Sequence, residues 1–244
     1  MNRFSNKRVL VTGGSSGIGL AAAIAYAREG AEVVITGRDP KGLQSALAQL
    51  PANARAIESD AGSLEAARKL ATELASIGAF DAVFVNAGVA EFASFDQVDE
   101  TMWDRSFDIN VKGPYFLLQA LRPLLAKGAA IVLNGSINAH IGMPGSSVYA
   151  ATKAALISLA RTLSAELLPQ SARVNVISPG PVTTPLHTKL GIEGTAKEAM
   201  TSQIPLGRFG TAEEIAATVL HLSAAESAYM VGTEVIVDGG MSQL

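Results

Sequence analysis

Two polar side chains stand four residues apart in an otherwise apolar stretch, SSVYAATKAAL (146–156), and together they could transfer a proton. Alanine and leucine favour a helix here, and residues four apart share one face of a helix, so Tyr149 and Lys153 point the same way. A free phenol has a pKa of about 10, but a neighbouring ammonium group stabilises the phenolate and lowers that pKa. The pair therefore predicts a proton-transfer device, although Tyr149 could also be an aromatic that packs the helix.

Short β-branched segments alternate with longer helical patterns along the chain. The seven predicted strands are RVLVT (8–12), EVVIT (32–36), ARAIE (54–58), DAVFV (81–85), AAIVLN (129–134), RVNVIS (173–178) and EVIVD (234–238). They are apolar nearly throughout, which is typical of parallel strands buried on both faces. The predicted helices include 19–30, 64–78 and 115–128, and the first and last of these close with a glycine. The alternation predicts an α/β fold, a doubly wound parallel sheet with helices on both faces.

The first predicted strand runs directly into a glycine-rich turn, TGGSSGIG (12–19), and then into a helix. Such a turn lets backbone N–H groups approach a pyrophosphate, whose charge the helix dipole favours. The spacing Gly13-x-x-x-Gly17-x-Gly19 differs from the G-x-G-x-x-G pattern of dinucleotide-binding proteins. The run could also be an ordinary tight turn, but the strand before it and the helix after it favour a phosphate site.

The residues that follow the next strands indicate which dinucleotide would bind. Gly37 and Arg38 stand where an acidic residue would hold the ribose 2′-hydroxyl of NAD, and a guanidinium suits a 2′-phosphate better. Asp60 could accept from the adenine amino group, and Asn86-Ala87-Gly88 puts small residues where a cofactor would approach the sheet. The sequence therefore predicts NADP rather than NAD, although Arg38 could be a surface arginine of a loop.

The composition excludes several other classes of function. The chain has 244 residues with a net charge of −3 and no basic block, which gives no reason to expect nucleic-acid binding. It has no cysteine, and the spacing of its three histidines fits no metal-ligand pattern, so we expect no metal site; His221 lies in a helical pattern and is expected to be structural. No apolar run reaches membrane-spanning length and the amino terminus lacks a signal-peptide pattern, so we expect a cytoplasmic protein.

Taken together, these motifs resemble the short-chain dehydrogenase/reductase family across practically the whole chain. The matching motifs are TGGSSGIG, NAG (86–88), Asn110, Ser136, YAATK (149–153) and PG (179–180). The resemblance implies one domain over 1–244 with a Rossmann-like sheet of seven parallel strands. It also implies nicotinamide-dependent oxidation of alcohols or reduction of carbonyls, usually in a homotetramer.

The resemblance also assigns catalytic roles. Tyr149 would protonate the carbonyl oxygen as hydride arrives, and Lys153 would also bond the nicotinamide ribose hydroxyls. Ser136 would donate to the substrate oxygen, and Asn110 would hold a water that links Lys153 to bulk solvent. On local grounds Ser136 could instead be a strand-end hydroxyl, and Asn110 a polar residue of a helix.

The predicted cofactor site spans the glycine-rich turn and the strand ends. Pro179, Gly180 and Val182 would wall the nicotinamide, and Thr184 could bond its carboxamide or simply belong to a turn. The predicted cofactor contacts are Gly13, Ser15, Ser16, Gly17, Ile18, Gly19, Arg38, Asp60, Ala61, Asn86, Ala87, Gly88, Tyr149, Lys153, Pro179, Gly180, Val182 and Thr184.

Two loops are expected to form the substrate pocket, the one after Ser136 and the irregular region 179–211, where we expect a lid over about 183–210. Its apolar members would be Ile137, Ile141, Met143, Leu186 and Leu190. The predicted substrate contacts are Ser136, Asn138, His140, Tyr149, Leu186 and His187. A mainly apolar pocket favours a hydrophobic ketone or secondary alcohol. The motifs resemble the NADP-dependent ketone reductases and secondary alcohol dehydrogenases of the family.

Two other functions stay open. A 3-oxoacyl-carrier-protein reductase would need a basic patch for its acidic partner; Lys127 fits one docking position, but Gln170 stands where a second positive charge is frequent. A catalytically inactive dinucleotide sensor would typically lack the Tyr or the Lys, both of which are present here. Enoyl reductases of this superfamily use a wider Tyr–Lys spacing, which disfavours reduction of a carbon–carbon double bond.

Overall fold

The computed structural model describes residues 2–185, 191 and 193–244. Seven strands form one parallel sheet in the order β3-β2-β1-β4-β5-β6-β7. The strands are β1 (Arg8–Thr12), β2 (Glu32–Gly37), β3 (Arg55–Glu58), β4 (Phe80–Val85), β5 (Leu125–Asn134), β6 (Arg173–Pro179) and β7 (Glu234–Val237). The strand order reverses between β1 and β4, which opens a crevice at the carboxyl ends of these two strands.

Helices cover both faces of this sheet. They are α1 (Gly17–Arg28), α2 (Pro40–Leu47), α3 (Leu64–Ala75), α4 (Glu100–Phe107), α5 (Gly113–Leu121), α6 (Ser147–Leu167), α7 (Gly194–Thr201) and α8 (Ala212–Ser223). A π-helical turn over Asp108–Lys112 joins α4 to α5. One buried core packs α1, α2 and α8 against the sheet, and a second packs α3, α5 and α6 against the opposite face. The predicted doubly wound α/β fold is confirmed.

All seven predicted strands are present, and their bounds differ from the prediction by at most one residue except at the start of β5. That strand begins at Leu125, within the stretch 115–128 that was expected to be helical, so the second half of this helix prediction is wrong. Pro123 has no backbone N–H with which to continue α5, and Leu125 pairs with Phe80 of β4. The tertiary pairing therefore overrides a locally helical composition.

Candidate active site

The glycine-rich turn packs so tightly that side chains cannot be added to it. Gly13 has a φ of +64°, and a Cβ there would lie 2.9 Å from Cα of Ala87. A Cβ on Gly19 would overlap the carbonyl oxygen of Gly13. Ser16 is the residue before α1 and its side chain makes no cap hydrogen bond, and Ser16, Gly17 and Ile18 line the crevice. The turn has the local geometry of an anion site at a helix N-terminus.

A chain of amide hydrogen bonds holds three strand ends together below this turn. The Asn86 side chain donates to the carbonyl oxygens of Thr12 (3.1 Å) and Gly13 (3.2 Å). Asn134, at the end of β5, in turn donates 3.0 Å to Oδ1 of Asn86. The Thr12 hydroxyl also accepts the backbone N–H groups of Asn86 (2.9 Å) and Ala87 (3.0 Å). These bonds fix the position of the turn relative to β4 and β5.

A cleft of about 290 Å³ runs from this turn along the carboxyl ends of β1, β2, β4 and β5. Seventeen of the eighteen predicted cofactor contacts line this cleft or the neighbouring substrate cleft. Those in the first cleft are Gly13, Ser15, Ser16, Gly17, Ile18, Arg38, Asp60, Ala61, Asn86, Ala87, Gly88, Tyr149, Lys153 and Thr184. Pro179, Gly180 and Val182 line the second cleft instead. Gly19 lines neither, since it lies beneath the turn against Gly13.

Arg38 is exposed at the end of this cleft, directly after β2. The next residue is acidic, but the Asp39 carboxylate is turned to the N-terminus of α2, where it accepts the N–H groups of Lys41 (3.1 Å) and Gly42 (3.0 Å). It does not line the cleft. Arg38 therefore faces the cleft while its acidic neighbour caps a helix.

Tyr149 and Lys153 lie on one face of α6, as expected, and Ser136 follows β5 beside them. Tyr149 and Ser136 line the same cleft, and the Ser136 hydroxyl is near enough to the phenol to lower its pKa. The Lys153 ammonium lies 5.5 Å from the centre of the Tyr149 ring and donates 2.6 Å to the backbone carbonyl of Asn134. Lys153 is only 5% exposed, so a side chain that normally carries a charge is held inside the protein.

Burial sets the protonation of this pair in a way that the sequence argument did not anticipate. It raises the pKa of Tyr149 above its usual 10, and the nearby Ser136 hydroxyl offsets this only in part. Burial also lowers the pKa of Lys153 from 10.5 to about 8. Burial outweighs the lowering expected from Lys153, so Tyr149 carries its proton at neutral pH.

Asn110 lies in the π-helical turn and holds the site together from behind. Its side chain exchanges two hydrogen bonds of 2.9 Å with the backbone of Val89, and it also donates 3.1 Å to the Thr152 hydroxyl on α6. It is 1% exposed and lines neither cleft. The structure thus places Asn110 between the loop after β4 and the helix that carries Tyr149.

A second cleft, of about 240 Å³, opens beside the first, and the two share Ile18, Ala90, Asn134, Tyr149 and Thr184. The predicted members Ser136, Ile137, Asn138, Ile141, Met143 and Tyr149 line it. Among the residues that the structure describes, no charged side chain lines this cleft. Asn138 contributes a side-chain amide to this cleft, and that amide lies 4.0 Å from the Met143 sulfur. Its backbone N–H donates a hydrogen bond of 3.2 Å to the Ser136 hydroxyl.

One predicted substrate contact that the structure describes, His140, is not brought to this cleft. His140 lines neither cleft; its Nε2 lies 2.7 Å from a carboxylate oxygen of Glu234, to which Ser178 also donates at 2.5 Å. This hydrogen bond holds the imidazole against Glu234 of β7. Leu186 and His187, like the apolar candidate Leu190, lie outside the described residues.

Several side chains of the second cleft were not predicted from the sequence, and the largest apolar ones among them are Phe92, Met200 and Met241. The Phe92 ring packs edge-on against Tyr149, with centroids 5.7 Å apart. None of the three belongs to a motif, and each reaches the cleft from a different part of the chain. Of the three, only Phe92 has a local signal of a binding role, because it is an exposed aromatic residue in a loop that follows the end of a strand.

Two absences apply to the residues that the structure describes. In the described ranges, no group of three or more His, Asp or Glu side chains is arranged to hold a metal ion. A search of the helices in the same ranges found none with the length and apolar character needed to cross a membrane.

The strand order and the glycine-rich turn at the reversal point place the chain in the Rossmann-like, doubly wound class of α/β proteins. A comparison with family models assigns it more closely. The model described as Enoyl-(Acyl carrier protein) reductase matches residues 13–242. The chain belongs to the short-chain dehydrogenase/reductase family of oxidoreductases, and the resemblance seen in the sequence motifs is confirmed.

Individual relatives cover essentially the whole chain. The 3-oxoacyl-[acyl-carrier-protein] reductase of Thermotoga maritima is 33% identical over 245 residues, covering 98% of this chain and 99% of the relative. Among solved structures, a short chain dehydrogenase/reductase family protein is 40% identical with a TM-score of 0.91, and the match covers 100% of both chains. A short chain dehydrogenase from Burkholderia cenocepacia in complex with NADP is 33% identical with a TM-score of 0.93, covering 98% of this chain and 99% of that one.

Proposed function

We propose that the protein reduces hydrophobic ketones to secondary alcohols with NADPH, and catalyses the reverse oxidation with NADP. The observation that carries this proposal is the position of Tyr149, whose protonated phenol stands where the two clefts meet. A proton donor at such a junction can serve a reaction between a bound dinucleotide and a second molecule.

The first cleft fits a dinucleotide with a 2′-phosphate. Its glycine turn leaves no room for side chains and presents the N–H groups of α1, which suits a pyrophosphate. Arg38 would pair with the 2′-phosphate, because Asp39 is engaged in capping α2. The Burkholderia cenocepacia relative in complex with NADP supports the same choice of cofactor.

Each polar group at the junction has a role in the proposed reduction. When bound, the reduced nicotinamide supplies a hydride. Ser136 holds the carbonyl oxygen by a hydrogen bond, and Tyr149 gives its proton to that oxygen so that the product is a neutral alcohol. Lys153, held by the Asn134 carbonyl, places a positive charge near the phenolate that remains. Asn110 positions α6 through Thr152.

The second cleft supports a neutral, mainly apolar substrate. Its described lining contains methionine, isoleucine and phenylalanine side chains and carries no charge, so a carboxylate would lose its hydration without gaining a partner.

We extend the proposal to a lid over about 183–210, a single catalytic domain over 1–244, and a homotetramer in the cytoplasm. Exposed apolar surface on Trp103 (47%) and Tyr115 (37%) supports the assembly.

A 3-oxoacyl-carrier-protein reductase is the second candidate, supported by the relative from Thermotoga maritima. Lys127 is exposed, as docking of an acidic partner requires, but it lies in the first half of β5, seven residues before the catalytic end at Asn134. At the rise of a strand this is about 20 Å from the clefts. Gln170 lies just before β6, also at the amino-terminal edge of the sheet. Gln170 is neutral, so it supplies no second positive charge beside Lys127, and this favours the simple ketone.

Reduction of a carbon–carbon double bond is the activity named in the description of the matching family model. The observed Tyr149-x-x-x-Lys153 spacing supports carbonyl reduction instead, because the phenol is placed to protonate an oxygen held by Ser136. The deciding experiment follows NADPH consumption with simple ketones, an acyl thioester and an enoyl thioester. Turnover of ketones supports the proposal; preference for a thioester favours another reductase; binding of cofactor without any turnover favours the inactive sensor.

Replacement of Arg38 is expected to change the choice of cofactor. In Arg38→Asp the carboxylate repels a 2′-phosphate and can accept from a 2′-hydroxyl, so the ratio of kcat/KM for NADPH over NADH should fall by about 100-fold, as expected for losing a charged hydrogen bond and adding a repulsion. Arg68→Asp makes the same charge change on the exposed face of α3 and serves as the control. An unchanged ratio in Arg38→Asp would contradict the assignment of NADP.

The rate of ketone reduction is expected to fall at alkaline pH. Burial lowers the pKa of Lys153 to about 8, so its charge is present below that pH and lost above it. If the charge is needed to stabilise the phenolate, kcat should fall about tenfold between pH 7 and pH 9. Initial rates across this range, with circular dichroism to show that the fold persists, test this; a flat profile up to pH 10 would rule out the role.

A further inference from the structure

The chain returns to the substrate cleft after its last strand. β7 ends at Val237, and Gly239 and Gly240 both have positive φ values, +66° and +89°, which turn the backbone sharply. Met241 follows and lines the cleft beside Tyr149 and Phe92. The C-terminal tail (residues 238–244) therefore forms part of the wall of the site.

One carboxylate fastens this tail. Asp238 accepts the N–H of Gly240 at 2.8 Å, and it accepts both the N–H and the hydroxyl of Ser242 at 2.7 and 2.6 Å. Burial raises the pKa of Asp238, but the hydrogen bonds from Ser242 and Gly240 lower it by a larger amount. The net pKa lies below its usual value, so the carboxylate is an anion at neutral pH. The bonds bracket Met241 on both sides and fix its backbone.

The base of the tail is packed closely against β6. Gly180 donates 3.0 Å to the carbonyl of Val237, and a Cβ on Gly180 would lie 2.7 Å from Cα of Asp238. Since Gly180 lines the cleft, the anchor of the tail is tied directly to the wall predicted to face the nicotinamide.

The tail is also joined to the segment after α7. Leu206 donates its N–H to the carbonyl of Gly239 at 3.1 Å, and a Cβ on Gly239 would lie 2.8 Å from Cγ2 of Ile204. This segment continues from α7, which brings Met200 to the same cleft. Two methionines thus enter one cleft from two segments that are bonded to each other.

We propose that the C-terminal tail sets the size of ketone that the cleft accepts, with Met241 as the specificity-determining wall and Asp238 as the residue that positions it. The inference rests on the proposed function. The Met241 side chain occupies part of the cleft wall, so it leaves less room for a branched or aromatic substrate than a smaller residue would.

The test compares a small ketone, 2-butanone, with a bulky one, acetophenone. Met241→Ala should raise the ratio of kcat/KM for acetophenone over 2-butanone about tenfold, and Met241→Phe should lower it by a similar factor, chiefly through KM. Met102→Ala on α4 makes the same change outside the cleft and should leave the ratio unchanged. Equal effects of Met241→Ala on kcat/KM for both ketones would contradict the proposal that Met241 determines the size of ketone accepted.

Asp238→Asn tests the positioning role at constant size. It should shift the ketone ratio in the same direction as Met241→Ala, and the double variant should shift it no further, because both changes remove the same wall. A loss of thermal stability with an unchanged ketone ratio would mean that Asp238 is merely structural, and would overturn its role.

A binding measurement separates this inference from the proposed function. Acetophenone is titrated calorimetrically into the NADP-bound protein and into its Met241→Phe variant, with no turnover required. If the native protein reduces no ketone, the proposed function fails; if Met241→Phe binds acetophenone as tightly as the native protein does, the inference about the tail fails independently.

Discussion

Tyr149→Phe is expected to lower kcat for ketone reduction by about a thousandfold while leaving NADPH affinity within about threefold. The substitution removes only the phenol hydroxyl, which lies near Ser136. The ring keeps its edge-on contact with Phe92, so the shape of the cleft is retained. No other described side chain that lines the second cleft carries an acidic proton near Ser136, since its remaining polar members are amides and hydroxyls.

Steady-state rates with a saturating ketone, together with NADPH titration by fluorescence, measure both quantities. Tyr229→Phe is the matched control, because Tyr229 is fully exposed and lines neither cleft. A Tyr149→Phe variant that keeps more than a tenth of the native kcat would exclude the phenol as the proton donor. Reduced NADPH affinity with unchanged kcat would instead make Tyr149 a cofactor-binding residue.

The pKa of Tyr149 gives this expectation its direction. Because burial raises that pKa, the phenol is protonated across the neutral range, which suits an acid in ketone reduction. Oxidation of an alcohol needs the phenolate, and the nearby charge of Lys153 must then stabilise it. The same residue therefore serves as the acid for reduction and, as phenolate, as the base for oxidation.

The strands and the motif residues could be predicted from the sequence because their signals are local. A run such as EVVIT, with three consecutive apolar β-branched residues at its centre, is typical of a buried parallel strand. The glycine turn, Ser136, Tyr149 and Lys153 each sit at a strand end or on a helix face, where topology brings them to one edge. Their convergence follows once the sheet is correct.

The parts that could not be predicted depend on contacts between distant segments. Met241 reaches the cleft only because Asp238 holds the tail and Gly239 bonds to Leu206. His140 is drawn to Glu234, more than ninety residues along the chain. The start of β5 was missed because the pairing of Leu125 with Phe80 outweighs a helical composition. The pKa directions at Tyr149 and Lys153 required the burial of both groups, which spacing alone does not supply.

The glycine turn tolerates no added methyl group, and Gly19→Ala is therefore expected to raise the Kd for NADPH at least about a hundredfold. A Cβ at this position would overlap the Gly13 carbonyl oxygen and would lie 2.6 Å from Nδ2 of Asn86. Because Asn86 also holds the Thr12 carbonyl and accepts from Asn134, the turn cannot shift without breaking the amide chain. Overpacking of this kind also costs about 1–3 kcal/mol of stability.

Alanine variants of two other glycines are expected to weaken NADPH binding less than Gly19→Ala does. Gly17 has a φ of +54°, but a Cβ there would approach only Thr184, at 3.4 Å, so Gly17→Ala should cost about 1–2 kcal/mol of backbone strain and weaken NADPH less. An added Cβ on Gly142 would have no heavy atom within 4 Å, so the Gly142→Ala variant should bind NADPH as the native protein does. Calorimetric Kd values and melting temperatures for the three alanine variants measure the series. If Gly19→Ala bound NADPH as tightly as Gly142→Ala, the turn would not be the pyrophosphate site, since a rigid cradle cannot absorb a methyl group at its base.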